Sequence, residues 1–111
     1  MSDDTKKGEK ESVKRVEEER IVALFQALGN MQRLRVIRLL LESERPIHLK
    51  GISRELGLDY ASTYRHIEKL RSIGVLGIHE VGRSRVPYIK NKDKISIITR
   101  EAQELTMSNK T

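Results

Sequence analysis

The side chains best placed for specific chemistry in this sequence are arginines and their neighbours between residues 60 and 85. Thr63, Ile67, Leu70 and Ile73 recur at helical spacing and share one apolar face. Tyr60, Ala61, Ser62, Tyr64, Arg65 and Lys69 therefore fall off the buried side of that helix. The guanidinium fork of Arg65 matches the O6 and N7 acceptors of guanine, and the methyl of Ala61 suits a thymine methyl. Ser62 and Tyr64 offer hydroxyls to bases or phosphates, although the spacing also allows Tyr64 to pack over the core edge. Gly82-Arg83-Ser84-Arg85 places two cations at a loop tip, where they suit a minor groove or its phosphates. Lys50 and Arg54, on a short preceding helix, suit contacts to a phosphate backbone.

Other chemistries find no comparable set of residues. Without cysteine there is no thiol nucleophile, disulfide or thiolate metal site. His48, His66 and His79 are scattered over three segments, and no Asp/Glu–His set recurs at ligand spacing. Glu55 and Asp59 are accounted for by a turn and a helix cap, and no glycine-rich phosphate loop occurs. The expectation is a protein with no catalytic residue, no metal and no cofactor.

Charge points the same way. The 111 residues suit one domain with one core, built from Leu, Ile and Val because Trp is absent and Phe occurs once. The net charge of +6 is concentrated between residues 31 and 90, where twelve Lys and Arg face six Asp and Glu. Such a basic segment favours a polyanion, duplex DNA being the commonest, although surface charge also serves solubility. The apolar run from Val36 to Leu41 is broken by Arg38, so no membrane span is expected. Residues 1–12 lack the apolar stretch of a secretory signal and read as a disordered arm, with the cytoplasm as default location.

The elements that must position these residues follow in order. Val13, Val16, Leu24, Ala27 and Leu28 line a first helix from Val13 to Leu28, closed by Gly29-Asn30. A second helix from Met31 to Ser43 buries Leu34, Ile37, Leu40 and Leu41. Arg33, Arg35 and Arg38 project outward from it, one within reach of Glu42. Arg45-Pro46 ends that helix, and Ile47-His48-Leu49 reads as a short strand. A short helix from Lys50 to Leu56, a Gly57-Leu58 turn and a helix capped by Asp59 form a helix-turn-helix. Leu76 to Val81 and Val86 to Ile89 alternate as strands of a hairpin, with Pro87 placing the second at an edge or on its non-donating side. A last helix spans Asp93 to Met107, with Ile95, Ile98, Ala102 and Leu105 on one face. The expected class is mainly α with a small β-hairpin wing (α+β), a winged helix-turn-helix of order α-α-β-α-α-β-β-α. Residues 13–107 form the domain, and 108–111 a flexible tail.

The stretch Phe25-Gln26-Ala27-Leu28-Gly29-Asn30 with Arg33-Leu34-Arg35-Val36-Ile37 resembles the opening of ArsR-type winged-helix repressors. So do Ile52 to Leu58, Arg65 to Leu70 and Gly74-Val75-Leu76, and the resemblance covers about residues 20–90. It implies a dimeric, sequence-specific regulator of transcription, a repressor reading an inverted repeat of duplex DNA in the nucleoid. It also implies a dimer contact through both terminal helices, which agrees with the surplus apolar residues Val13, Val16, Leu24, Ile95, Ile98, Ala102 and Leu105. The chain departs from the family's metal sensors in having no cysteine, and His66 matches a position that is often histidine without binding metal. The sequence identifies no small-molecule effector. Two other readings stay open: a general, chromatin-like DNA binder and a winged-helix module for protein interaction. The absence of cysteine with many Ile, Arg and Glu is compatible with a thermophile, and the winged-helix pattern is archaeal-like as well as bacterial.

Overall fold

The computed structural model of the protein describes residues 3–107, with side chains from residue 7 onward. The elements are α1 (Asp3–Leu28), α2 (Met31–Glu42), α3 (Leu49–Leu56), α4 (Tyr60–Ser72), β1 (Leu76–Val81), β2 (Ser84–Ile89) and α5 (Lys92–Met107). The class is the expected one, mainly helical with one antiparallel hairpin, but two elements differ. The short strand expected at Ile47-His48-Leu49 does not form, and among the described residues the sheet contains only β1 and β2. The backbone there is committed to starting a helix instead. The Ile52 N–H bonds to the His48 carbonyl at 3.1 Å, and the Gly51 N–H bonds to His48 Nδ1 at 3.1 Å.

The second difference is the length of α1. It begins at Asp3, so residues 3–12, expected as a disordered arm, continue the helix. Lys7 and Glu11, and Glu11 and Arg15, stand four apart, a spacing at which opposite charges support a helix without any core contact. The tail expected at 108–111 lies outside the described residues.

Local chemistry sets the remaining boundaries. Asn30 caps α2, its side chain accepting from the N–H groups of Gln32 and Arg33 at 3.0 and 3.1 Å. Between α3 and α4 the Leu58 N–H reaches the Ser53 carbonyl and the Gly57 N–H the Arg54 carbonyl, a Schellman closure. Gly57 sits at φ 66°, which a side chain would resist. The same closure ends α4, where Val75 N–H reaches Leu70 and Gly74 N–H reaches Arg71. Helix α4 is thus pinned at both ends, by the Asp59 cap and by Gly74.

The core gathers residues from every helix and from β1. Val36, Ile37 and Leu40 of α2 meet Leu49 and Ile52 of α3, Ile67 and Leu70 of α4, and Val75 and Leu76. Ala27 closes it from α1 and Ile95 from α5. The buried stripe of α2 is shifted from the expected one: Val36 is fully buried, whereas Leu34 and Leu41 are half-buried. Arg33 is also not the outward-facing residue expected. It is half-buried, donating from Nε to the Ala27 carbonyl at 2.6 Å and from a terminal nitrogen to His66 Nδ1 at 3.3 Å.

In the hairpin Leu76 lies opposite Ile89 and Val81 opposite Ser84, so the turn is only Gly82-Arg83. The Lys90 N–H bonds the Val75 carbonyl, and by antiparallel alternation the bonded pairs in the hairpin are Gly77–Tyr88, His79–Val86 and Val81–Ser84. Pro87, opposite Ile78, therefore stands at a non-bonded position, where its missing N–H costs no ladder bond. It also removes a donor from the open edge of β2, which discourages strand addition.

Candidate nucleic-acid interface

Helix α4 presents its buried face through Thr63, Ile67 and Leu70. The expected surface residues Tyr60, Ala61, Arg65 and Lys69 are exposed, while Ser62 and Tyr64 are half-buried. Asp59 opens the helix by accepting the Ser62 N–H at 3.1 Å, and Arg65 donates to the Ser62 hydroxyl at 3.1 Å. Hydrogen bonds from the Ser62 hydroxyl and then its N–H, with the charge of Arg65 adding to them, hold the Asp59 carboxyl below its ordinary range. The guanidinium of Arg65 is thereby oriented along the exposed side of α4.

Tyr64 resolves the choice that its spacing left open. It packs against the core, its hydroxyl donates to Glu68 at 3.3 Å, and the Arg85 guanidinium lies 5.2 Å from its ring centroid. This cation–π contact ties the hairpin to α4. Arg83, Ser84 and Arg85 are exposed at the hairpin tip, and Lys50 and Arg54 are exposed on α3.

These elements meet in two adjoining clefts. One, of about 360 Å³, is lined by Tyr60, Ala61, Tyr64, Arg65 and Arg85. The other, of about 170 Å³, lies between the start of α3 and the hairpin tip, lined by His48, Leu49, Lys50, Tyr60, Arg83, Ser84 and Arg85. No carboxylate lines either one. Arg54 and Lys69 line neither, and His48 and Leu49 are the members that residue types alone did not single out. A third groove, of about 470 Å³ and largely apolar, lies between residues 43–47 and β2 and shares no residue with the basic clefts.

Behind this surface, His66 connects α4 to α2. Its Nδ1 faces a terminal nitrogen of Arg33, which can only donate, so the ring holds that contact as neutral imidazole. Burial lowers its pKa from the ordinary 6.5, and the charges of Arg33 and Arg65 lower it further. The unfolded chain then binds more protons than the folded one, so this contribution to stability is present above the ordinary 6.5 and is lost as pH falls from there through the lowered pKa of the folded state. In urea unfolding at pH 7.5 and pH 5, His66→Asn, which keeps an acceptor facing Arg33, should show a smaller loss of stability on acidification than the parent. An equal loss in both proteins would refute the assignment.

The dimer-interface residues expected from the sequence divide. Ile95 is 6% exposed and belongs to the protomer's own core, and Leu24 and Ile98 are half-buried. Val13, Val16, Ala102 and Leu105 are exposed, joined by Ile21, Val22 and Phe25 on α1 and Ile97 and Met107 on α5. Among the described residues no three His, Asp or Glu side chains gather to hold a metal ion, and no helix is long and apolar enough to cross a membrane.

Comparison with known proteins agrees with this geometry. A family model described as the IclR helix-turn-helix domain matches residues 33–77, from α2 through α4 into β1. The homodimeric winged helix-turn-helix DNA-binding domain of a possible ArsR-family regulator from Mycobacterium bovis superposes with a TM-score of 0.77 at 17% identity, covering 88% of each chain. The chain is a winged helix-turn-helix protein. This winged-helix chain is also similar to HlyU from Vibrio cholerae, with a TM-score of 0.66 and 21% identity over 76% of this chain and 92% of that one. A transcriptional regulator homologue from Pyrococcus horikoshii gives 0.67 and 21% over 84% and 99%. No curated protein matches the chain in sequence.

Proposed function

We propose that this winged helix-turn-helix protein is a transcriptional regulator that binds duplex DNA as a homodimer, with α4 in the major groove and the hairpin as the wing. The observation that carries the reading is the pair of adjoining clefts, whose linings include Lys50, Arg65, Arg83 and Arg85 and no carboxylate. Arg65 reads a base edge, with Tyr60, Ala61 and Ser62 beside it. Tyr64 supports the wing through Arg85. Arg83 and Arg85 engage the minor groove or its phosphates, Lys50 and Arg54 the adjacent backbone, and Lys69 a phosphate farther along α4. The dimer is supported by the exposed apolar residues of α1 and α5, and by the homodimeric state of the M. bovis domain. Two copies read an inverted repeat with half-sites about one helical turn apart. Residues 3–107 act as one domain, and the ArsR type is supported by the resemblance over residues 20–90 together with these structural likenesses.

The test is selection of bound genomic fragments, followed by titration of the recovered duplex and of random DNA. Arg65→Ala should cost roughly 1–3 kcal/mol on the recovered sequence and relax its preference. Arg83→Ala should weaken both duplexes and lower the slope of log affinity against log salt by about one unit. Binding without sequence preference would indicate a general, chromatin-like binder. No duplex binding would indicate a protein-interaction module.

A further inference from the structure

Helix α3 starts from a histidine, a residue type outside the group that usually caps helices, namely Ser, Thr, Asp, Asn and Gly. His48 does the work of those residues through Nδ1, which accepts the Gly51 N–H at 3.1 Å. A Cβ at Gly51 would come within 2.9 Å of Ile47 Cγ2, and would meet the imidazole only at the ordinary contact distance of 3.6 Å. A ring whose Nδ1 accepts is neutral and carries its proton on Nε2. The cap therefore fixes the tautomer and leaves a donor on the far edge of an exposed ring, with no partner for Nε2 among the described residues.

That ring lines the smaller cleft together with Lys50, Tyr60, Arg83 and Arg85. Three cationic side chains converge there from two elements, and no carboxylate lines this cleft, Glu80, the cross-strand partner of Arg85, lying with Glu68 on an adjoining one. An aspartate would cap α3 equally well, as Asp59 caps α4, but would set a carboxylate among those cations. Histidine satisfies the helix and adds a neutral donor to the cleft. Resting on the DNA-binding reading above, we propose that His48 donates from Nε2 to a backbone phosphate of bound duplex, seated between the start of α3 and the hairpin tip. The contact is independent of base sequence, so it sets the position of the protein on the duplex rather than its choice of site.

The test uses the full chain and a 20-base-pair duplex containing the recovered site, beside a random duplex of equal length. His48→Asn keeps an acceptor for the Gly51 N–H but has no donor at the Nε2 position. Its thermal midpoint should match the parent, and its affinity for both duplexes should fall about ten-fold, as for loss of a hydrogen bond to a charged group. The salt slope should not change, because a neutral donor displaces no counterion, in contrast to Arg83→Ala. His48→Asp, also a good cap, should lose more, since its carboxylate opposes the phosphate. In nitrogen–proton spectra of the histidine rings, His48 should show the Nε2–H tautomer in the free protein and a shift of that proton when duplex is added. Parental affinity in the Asn variant, a slope reduced by a full unit, or an Nδ1–H tautomer in the free protein would each overturn the proposal. A parent protein that binds neither duplex would overturn the DNA-binding reading and this contact together. Parental binding that His48→Asn leaves unchanged would overturn the contact alone.

Discussion

Ile67→Ala is expected to lower the unfolding free energy by about 2–5 kcal/mol, out of the roughly 5–15 kcal/mol usual for a domain. Ile67 is 0% exposed at the centre of α4, within the cluster that includes Ile37, Ile52 and Leu70. Removing its outer carbons leaves a void that the neighbours cannot easily fill. Helix α4 is fixed at one end by the Asp59 cap and at the other by the turn at Gly74, so it cannot sink toward the core without breaking one of them. The urea midpoint should drop at unchanged m-value, because the surface exposed on unfolding stays nearly the same. DNA affinity measured well below the midpoint should stay within a small factor of the parent, since Ile67 does not reach the exposed side of α4. A loss below about 1 kcal/mol, in the range of ordinary surface substitutions, would mean that α4 is not anchored through this face.

That anchoring face was legible in the sequence because burial and helical period coincide there. Thr63, Ile67 and Leu70 are buried as their spacing predicts, and the Gly57 turn and Asp59 cap stand where residue type alone places them. The hairpin was legible through alternation, with Pro87 at the non-bonded position its missing N–H requires. The misreadings have physical causes. Residues 3–12 carry no apolar stripe, and their helix is supported by charge spacing and continuity with residues 13–28 rather than by a core. Arg33 reads as a solvated residue, yet its long side chain folds inward because Ala27 and His66 offer two acceptors within reach. Ile47-His48-Leu49 has the β-branched and apolar character of a strand, but a histidine nitrogen diverts it into a helix start. The same event hid His48 from the set of candidate site residues, because no cap preference marks histidine. Ile95 and Leu105 share a face by spacing alone. Only the packing of the start of α5 shows that the first is core and the second 69% exposed.

The apolar residues that the protomer leaves uncovered set the remaining large effect. Phe25 is 61% exposed on α1, Ile21 and Val22 lie four and three residues before it on the same side, and all three are more than half exposed. Val13 and Val16 continue the line of Leu24 and Ala27 along a helix of about 39 Å, beyond the point where the protomer's own core ends. A side chain so exposed contributes little to the fold of one copy, so Phe25→Glu should leave the thermal midpoint of an isolated protomer nearly unchanged. In the proposed dimer it sets a carboxylate within an apolar contact, where desolvation without a partner is costly. Sedimentation should then give the protomer mass where the parent gives twice that mass. Affinity for a duplex with both half-sites should fall by at least about 100-fold, the gain that linking two binding events ordinarily provides. Affinity for a single half-site should not change, because α4 and the wing are untouched. A variant that keeps the dimer mass would place the contact elsewhere on the surface. A parent that is already monomeric at micromolar concentration would remove the dimer from the proposal, leaving α4 and the wing to act from one copy.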